Sequence, residues 1–430
     1  MHYFSTNRKS PAVSFREAVL NGQPDDKGLY FPSEVPIVTE LCLSEMHERL
    51  YPEIAFDLMW PYVGGDIPDN VLFKICEALN FEFPVVEISD GISALELFHG
   101  PTLAFKDVGA RFMSGCLQYF SKDKSGKTLV VVATSGDTGG AVAAGFHGVE
   151  GVEVVILYPK GKVSRIQELQ LTTFGGNVTA LELRGTFDDC QALAKKALAD
   201  TDLQKRIHVT SANSINTARW LPQQLYYFFA FEQIGAGDQP VFSVPSGNFG
   251  NIAAGLLARA GGLPIKKFIA ACNANDVVPE FMRTGDYRPK PSVATLSNAM
   301  DVGDPSNFVR ILEVFDNNVA ELKEALDAVS ISDETTAQTM REVYKASGYI
   351  LDPHGAVAYR ALADHISDHP GESGIFLETA HPVKFDSVEE ILGTHVEVPP
   401  AIESLFSKHR ESIEMDVNYD DVKDLLLAKI

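Results

Sequence analysis

The chain has 430 residues, 45% of them hydrophobic and 22% charged, which is enough apolar material for two or three domains of a globular enzyme. Its formal net charge of −22 repels phosphate backbones and anionic lipid surfaces, so neither nucleic acid nor a membrane is an expected partner. Five cysteines, widely spaced and without a Cys-x-x-Cys pair, read as reduced side chains of a cytoplasmic protein rather than as a disulfide framework or a metal site.

The amino-terminal residues contain no apolar signal region, and no later run approaches the length of a membrane span. Helical patterns over 44–60 and 68–79, separated by Gly64-Gly65-Asp66, make residues 1–85 an expected helical cap. From Val85 onward, Val/Ile-rich runs at 128–133, 152–158, 178–183, 207–210, 240–244 and 268–272 alternate with helical patterns, as in an open, mostly parallel α/β sheet. Residues 295–370 read as mostly helical, broken at Gly348 and at Asp352-Pro353-His354-Gly355, and one more strand is expected at 374–377. The acidic tail keeps apolar residues such as Leu425, Leu426 and Leu427 and is expected to dock as one or two helices. The expected division is therefore a cap over 1–85, a catalytic region over 86–385 and a carboxy-terminal extension over 386–430.

In open α/β sheets ligands bind at the carboxyl ends of strands, and the strand-to-helix junctions here are unusual. Residues 99–107 (HGPTLAFKD) put Lys106 among apolar neighbours just after a turn. Desolvation there lowers an amine's pKa and makes it nucleophilic, whereas the plainer reading is a solvated lysine paired with Asp107. Residues 134–140 (TSGDTGG) follow one strand and open a helix of small residues, a place suited either to a carboxylate or simply to an N-cap. Residues 246–251 (SGNFGN) follow another strand and can cradle a phosphate with backbone N–H groups; they match neither a P-loop nor a dinucleotide turn. A nucleophilic lysine together with a phosphate cradle describes pyridoxal phosphate. Residues 160–167 and 211–219 gather further donors at helix starts and could hold a second phosphate or be solvated basic turns. In residues 378–385 (ETAHPVKF) a threonine hydroxyl could meet the pyridine nitrogen, and His381 is expected to be structural.

Taken together with 14–19 (SFREAV), 28–32 (GLYFP) and 184–191 (RGTFDDCQ), these motifs in this order resemble the threonine synthase family. That family belongs to the fold-type II pyridoxal-phosphate enzymes of the tryptophan-synthase β kind, and the match is to its shorter yeast and bacterial branch. One departure is Asn7-Arg8, where Arg-Gly is usual. The resemblance implies large and small sheet domains, with residues of about 100–235 forming a mobile smaller unit that closes over the site. It implies that Lys106 bonds to the cofactor and acts as catalytic base. It also implies that Ser246, Gly247, Asn248, Phe249, Gly250 and Asn251 hold the cofactor phosphate, that Thr379 faces the ring nitrogen, and that Phe105 and Asp137 flank the ring. Thr102, Ser135 and Thr138 are implied for the substrate carboxylate, and Lys162, Asn213, Asn216 and Arg219 for the substrate phosphate; no metal is implied. The implied reaction removes phosphate from Cγ of O-phosphohomoserine and adds water at Cβ to give threonine, in a monomer or homodimer. A dehydratase or phospholyase on the same fold, and an inert binding protein, are the alternatives.

Overall fold

The computed structural model describes residues 1–122, 127–234 and 239–429. In chain order the strands among them are β1 (Tyr3–Ser5), β2 (Tyr30–Pro32), β3 (Val85–Ser89), β4 (Ile92–Glu96), β5 (Thr128–Ala133), β6 (Val152–Pro159), β7 (Val178–Leu183), β8 (His208–Ser211), β9 (Val241–Pro245), β10 (Lys267–Cys272), β11 (Leu326–Ser330), β12 (Gly374–Glu378) and β13 (Ile413–Met415). They form a six-stranded sheet in the order β11-β10-β9-β12-β4-β3, a five-stranded sheet in the order β13-β7-β6-β5-β8, and a small β1-β2 ribbon. All pairings in the two large sheets are parallel except β3 with β4. β5, β9 and β12 are buried along their whole length, as parallel strands covered on both faces must be, and this is why they read as mostly apolar runs, with Ser243 and Glu378 among the buried polar exceptions.

Three expectations need correction. The helical run over 44–60 is split into a helix at Glu40–Glu45, a 3₁₀ turn at Met46–Glu48 and a helix at Tyr51–Val63. Pro52 sits in the first turn of the last of these, where its missing N–H costs nothing, whereas in mid-helix it would break the ladder. Within 295–370 a short edge strand, β11, pairs with β10; only Leu326 of it is buried, so no alternation marks it in the sequence. The tail adds helices at Asp386–Leu392, Pro400–Phe406 and Tyr419–Ala428 and also the strand β13, paired with β7. Lys160 and Arg184 pair with Glu414 there, and Arg184 with Asp416, so the acidic tail is held partly by opposite charge.

The amino-terminal departure is well anchored. Asp26 accepts hydrogen bonds from the Ser5 hydroxyl and from the backbone N–H groups of Lys9 and Gly28. The Arg8 guanidinium stacks 3.5 Å from the Phe4 ring centroid and pairs with Glu313. Among the described residues no helix is long and apolar enough to cross a membrane.

Candidate active site

The carboxyl edges of the two sheets face each other, and the loops leaving them touch. From the large sheet, the neighbours β9 and β12 send out residues 246–251 and 379–384; from the small sheet, β5 and β8 send out 134–138 and 212–216. Among the contacts that cross the gap, Lys384 Nζ lies 2.7 Å from Asp137 Oδ1, and Asn248 Nδ2 donates to Ser214 Oγ at 2.8 Å. Asn213 Nδ2 donates to the carbonyl of Ala133 at 3.0 Å and so ties the two small-sheet loops together.

Lys106 is the first residue of the helix Lys106–Ser121, and the loop before it is docked on the loop after β12. Phe105 N donates to Thr379 O, His381 N donates to Leu103 O, and Ala104 bridges Ala380. Asp107 does not pair with Lys106. Its carboxylate instead accepts from the backbone N–H and the hydroxyl of Thr102, at 2.9 and 2.7 Å, which closes the turn and removes the plainer reading of this lysine. The Lys106 side chain is 17% exposed. Burial lowers its pKa, the Asp137 carboxylate 3.9 Å away opposes the shift, and the positive charges of Lys384 and Arg219 add to it.

Asp137 opens the helix Asp137–Phe146. Burial would raise its carboxyl, but the Lys384 and Lys106 ammonium groups and a hydrogen bond from Gln167 Nε2 at 3.0 Å outweigh that and hold it well below the usual carboxylate range. Lys384, whose side chain is fully buried, also donates to Thr102 O at 2.8 Å. The result is a row of Lys106, Asp137 and Lys384, sealed at the Lys384 end and partly open at Lys106, with two amines sharing one carboxylate. Gly136, which precedes Asp137, has φ +141 and the Gln167 amide packed where a Cβ would stand, so only glycine makes this turn.

Across the gap, residues 246–250 lead into the helix Gly250–Ala260. Phe249 takes a left-handed conformation at φ 62, and Asn251 Nδ2 fastens the loop to Pro245 O. Behind the loop, Asn307 Nδ2 donates to Asn248 O and to Ser214 Oγ, and Arg310 donates to Asn307 Oδ1 and to the carbonyls of Ser214, Ile215 and Tyr30. Arg310 is fully buried and, among the described residues, no carboxylate pairs with it; burial pushes its pKa down to about 9. A buried cation with only neutral partners is costly, and a dianion held by the loop in front of it would offset that cost.

The remaining sequence candidates divide. Ser135 and Thr138 flank Asp137 and are half-buried, and among the described residues no hydrogen bond engages either hydroxyl. Thr379 is 6% exposed, with its carbonyl taken by Phe105. Three candidates for the substrate phosphate are placed elsewhere. Asn216 is fully buried, and its amide is consumed by Val19 O, Ser211 O and the N–H of Ala218. Arg219 lies behind the helix start, donating to Lys106 O at 3.0 Å. Lys162 is exposed, in the turn before the helix Arg165–Thr172. Lys384, Gln167, Ser214, Asn307 and Arg310 were not singled out from the sequence. Lys384, Gln167 and Ser214 lie inside recognised motifs, but Asn307 and Arg310 sit in a stretch with no motif, and only folding brings them behind residues 246–251.

An amine kept short of its charge attacks an aldehyde, and a backbone cradle too tight for side chains suits a phosphate ester. Pyridoxal phosphate carries both groups, and the residues present fit it: a Cβ on Gly247 would lie 2.5 Å from Met300 Cα, and Arg310 behind the cradle has oxygen acceptors and the Trp220 ring but, among the described residues, no anionic partner. The fold and site are those of a pyridoxal-phosphate-dependent α/β enzyme. Residues 91–377 match the pyridoxal-phosphate dependent enzyme family, residues 2–79 the threonine synthase N terminus and residues 355–426 the threonine synthase C-terminal family. The threonine synthase of Escherichia coli K12 is 47% identical over 93% of each chain. The crystal structure of threonine synthase from Escherichia coli superposes with a TM-score of 0.93 at 43% identity, covering both chains fully. A pyridoxal-phosphate-bound threonine synthase from Brucella melitensis gives 0.92 at 32% identity, over 100% of this chain and 99% of that one. The chain belongs to the threonine synthase family and is a pyridoxal-phosphate-dependent lyase.

The cradle makes a direct prediction. Gly247→Ala drives a methyl group against the Met300 backbone, an overpacking cost of about 1–3 kcal/mol that falls on the loop. Titrating the apoprotein with pyridoxal phosphate is expected to show binding weakened by about 5- to 150-fold.

Proposed function

We propose that this chain converts O-phosphohomoserine and water into threonine and phosphate, and that the Lys106–Asp137–Lys384 row, set opposite residues 246–251, carries the reaction. When bound, pyridoxal phosphate supplies the electron sink that makes protons on Cα and Cβ of an amino-acid substrate removable. Lys106 is the residue that bonds to it. Gly247 to Asn251 take its phosphate, Thr379 faces its ring nitrogen, and Phe105 lines its surroundings. A neutral hydroxyl at Thr379 would not enforce a charge on the ring nitrogen, as a carboxylate there would.

Lys106 Nζ is the base that takes the substrate's Cα proton. Its amine has to be neutral to do so, and desolvation in the pocket favours that form. Asp137 keeps the amine aimed by attraction, while Lys384 pulls on the same carboxylate from its other oxygen, which prevents a tight Lys106–Asp137 pair that would lock the amine in its charged form. In the net reaction the Cγ–O bond breaks, Cγ gains a proton, and Cβ loses a proton and gains hydroxide. Ser135 and Thr138, with hydroxyls and helix-start N–H groups at the end of β5, receive the substrate carboxylate. Thr102, whose hydroxyl is given to Asp107, supports the lysine turn from behind. Ser214 and Asn213, on the β8 loop facing the cradle, are the polar groups placed to meet the leaving phosphate.

We assign residues 1–85 as the cap, 86–385 as the catalytic region, with about 100–235 as the unit that closes, and 386–430 as the extension. The support for a closing unit is that β5 to β8 form their own sheet and meet the large sheet through loop contacts at the site. A cytoplasmic location suits the five free thiols, four of them buried.

The single observation carrying this reading is the Lys106–Asp137–Lys384 row facing a glycine cradle. Incubating the purified protein with O-phosphohomoserine tests it: threonine and phosphate should appear in equal amounts. Main products of 2-oxobutyrate and ammonia would replace it with a dehydratase reading.

A further inference from the structure

Immediately before Thr379, at the end of β12, stands Glu378, and beside it Asp352 caps the helix Pro353–Asp368. Both side chains are fully buried, and among the described residues no lysine or arginine pairs with either. Glu378 Oε1 accepts the Asp352 backbone N–H at 2.6 Å. Asp352 Oδ1 accepts the backbone N–H of His354 at 2.6 Å and faces His354 Nδ1 at 2.5 Å. His354 Nε2 accepts the N–H of Ala299 at 3.2 Å, which leaves Nδ1 as the protonated nitrogen that donates to Asp352. Within this trio every carboxylate oxygen and ring nitrogen is then accounted for except two: Glu378 Oε2 and Asp352 Oδ2 have no donor among the described residues.

Two ionised carboxylates side by side in a dry interior are prohibitively costly, and a single proton placed between the two unpartnered oxygens satisfies both at once. We propose that Glu378 carries this proton and donates it to Asp352, so that a Glu378–Asp352–His354 relay braces the Thr379 loop against the turn that backs Gly247. Asp352 keeps the negative charge because it accepts two N–H groups where Glu378 accepts one.

The surroundings agree. Burial raises the Glu378 carboxyl far above its usual range, and the charge of Asp352 adds to the rise. Glu96 contributes further negative charge, but its oxygens are engaged by the Tyr349 hydroxyl and by His99. Asp301 lies within the electrostatic reach of His354, while Lys106 and His381 lie within that of Asp352. Gly355 completes the enclosure, since any Cβ there would collide with the Glu378 carboxyl. At the far end, Ala299 precedes Met300, the residue whose Cα lies against Gly247. The relay therefore spans from the residue before the ring-facing threonine to the residue behind the phosphate cradle. Glu378, Asp352 and His354 act through Thr379 and Gly247 and are positioning residues.

This inference rests on the cofactor assignment, and it is tested first without cofactor or substrate. In infrared difference spectra of the apoprotein at neutral pH, wild type minus Glu378→Gln should show the C=O stretch of a protonated carboxyl. A difference containing only ionised-carboxylate bands overturns the proposal. The second test exploits hydrogen-bond parity. A glutamine at 378 still donates to Asp352, and an asparagine at 352 can donate to Glu378, so each single amide should bind pyridoxal phosphate within about threefold of wild type. The double variant sets two NH₂ groups against each other and should bind at least about tenfold more weakly than either. Two ionised carboxylates in the wild type would instead make each single amide bind pyridoxal phosphate at least about tenfold more tightly than wild type, because either one removes the repulsion, and that result also overturns the proposal. A wild type that binds no pyridoxal phosphate defeats the cofactor assignment instead, while the infrared band still reports on the shared proton.

Discussion

Lys106→Ala is expected to lower turnover of O-phosphohomoserine by at least about 10⁴-fold, because on the assignment proposed above one substitution removes both the covalent anchor and the base, and general-base loss alone costs about 10²–10⁴. The fold should survive. The side chain is partly open, its Nζ lies 5.6 Å from the Phe105 ring centroid, and the turn that carries it is fixed by Thr102, Asp107 and backbone bonds to Thr379 and His381 rather than by the amine. The variant should therefore melt within a few degrees of wild type, yet lack the visible absorbance of lysine-bound cofactor. Retained absorbance with normal turnover would assign the chemistry to another amine, and Lys384 is the nearby candidate, bonded to the same carboxylate.

Lys384→Met should be the most destabilising change at the site. It removes one member of a fully buried pair and leaves Asp137 with Gln167 and the more distant Lys106. Breaking a buried pair from one side typically costs about 3–5 kcal/mol, against a total stability of about 5–15 kcal/mol for a domain. The pH dependence has a definite sign. Asp137 is held below its unfolded value of about 3.9, so its stabilising contribution is fully present above that pH and is lost as the pH falls toward its depressed folded value. The gap between wild type and variant in urea unfolding should thus be widest at neutral pH and narrow below about pH 4. Turnover should fall as well, because Asp137, released from Lys384, is free to pair tightly with Lys106 and hold that amine charged; the acid limb of the kcat profile should move to higher pH. A variant as stable as wild type at pH 7 would mean that the buried pair contributes nothing net.

The difference between these two lysines marks what could be read in the chain alone. Lys106 announces itself by its neighbours, since HGPTLAFKD places a lysine at an apolar helix start, and burial of that kind is a local property. Lys384 lies inside the quoted run at 378–385, but nothing near it reveals that its amine is sealed from water and spent on Asp137 and Thr102. Asn216 and Arg219 differ in the opposite direction, their donors being turned to protein groups. A donor-rich helix start looks the same whether its donors face a ligand or, as here, Val19 and the back of Lys106.

The sequence by itself determined the alternation of strands and helices, the lysine and the glycine cradle, because apolar periodicity and backbone permissiveness are written in consecutive residues. Tertiary structure alone decided which side chains complete the site. The parallel order placing β9 beside β12, the meeting of two sheet edges and the arrival of Arg310 and Asn307 behind residues 246–251 are consequences of packing between segments far apart in the chain. Such partners leave no local trace, since a buried charge is identified only by the group that faces it.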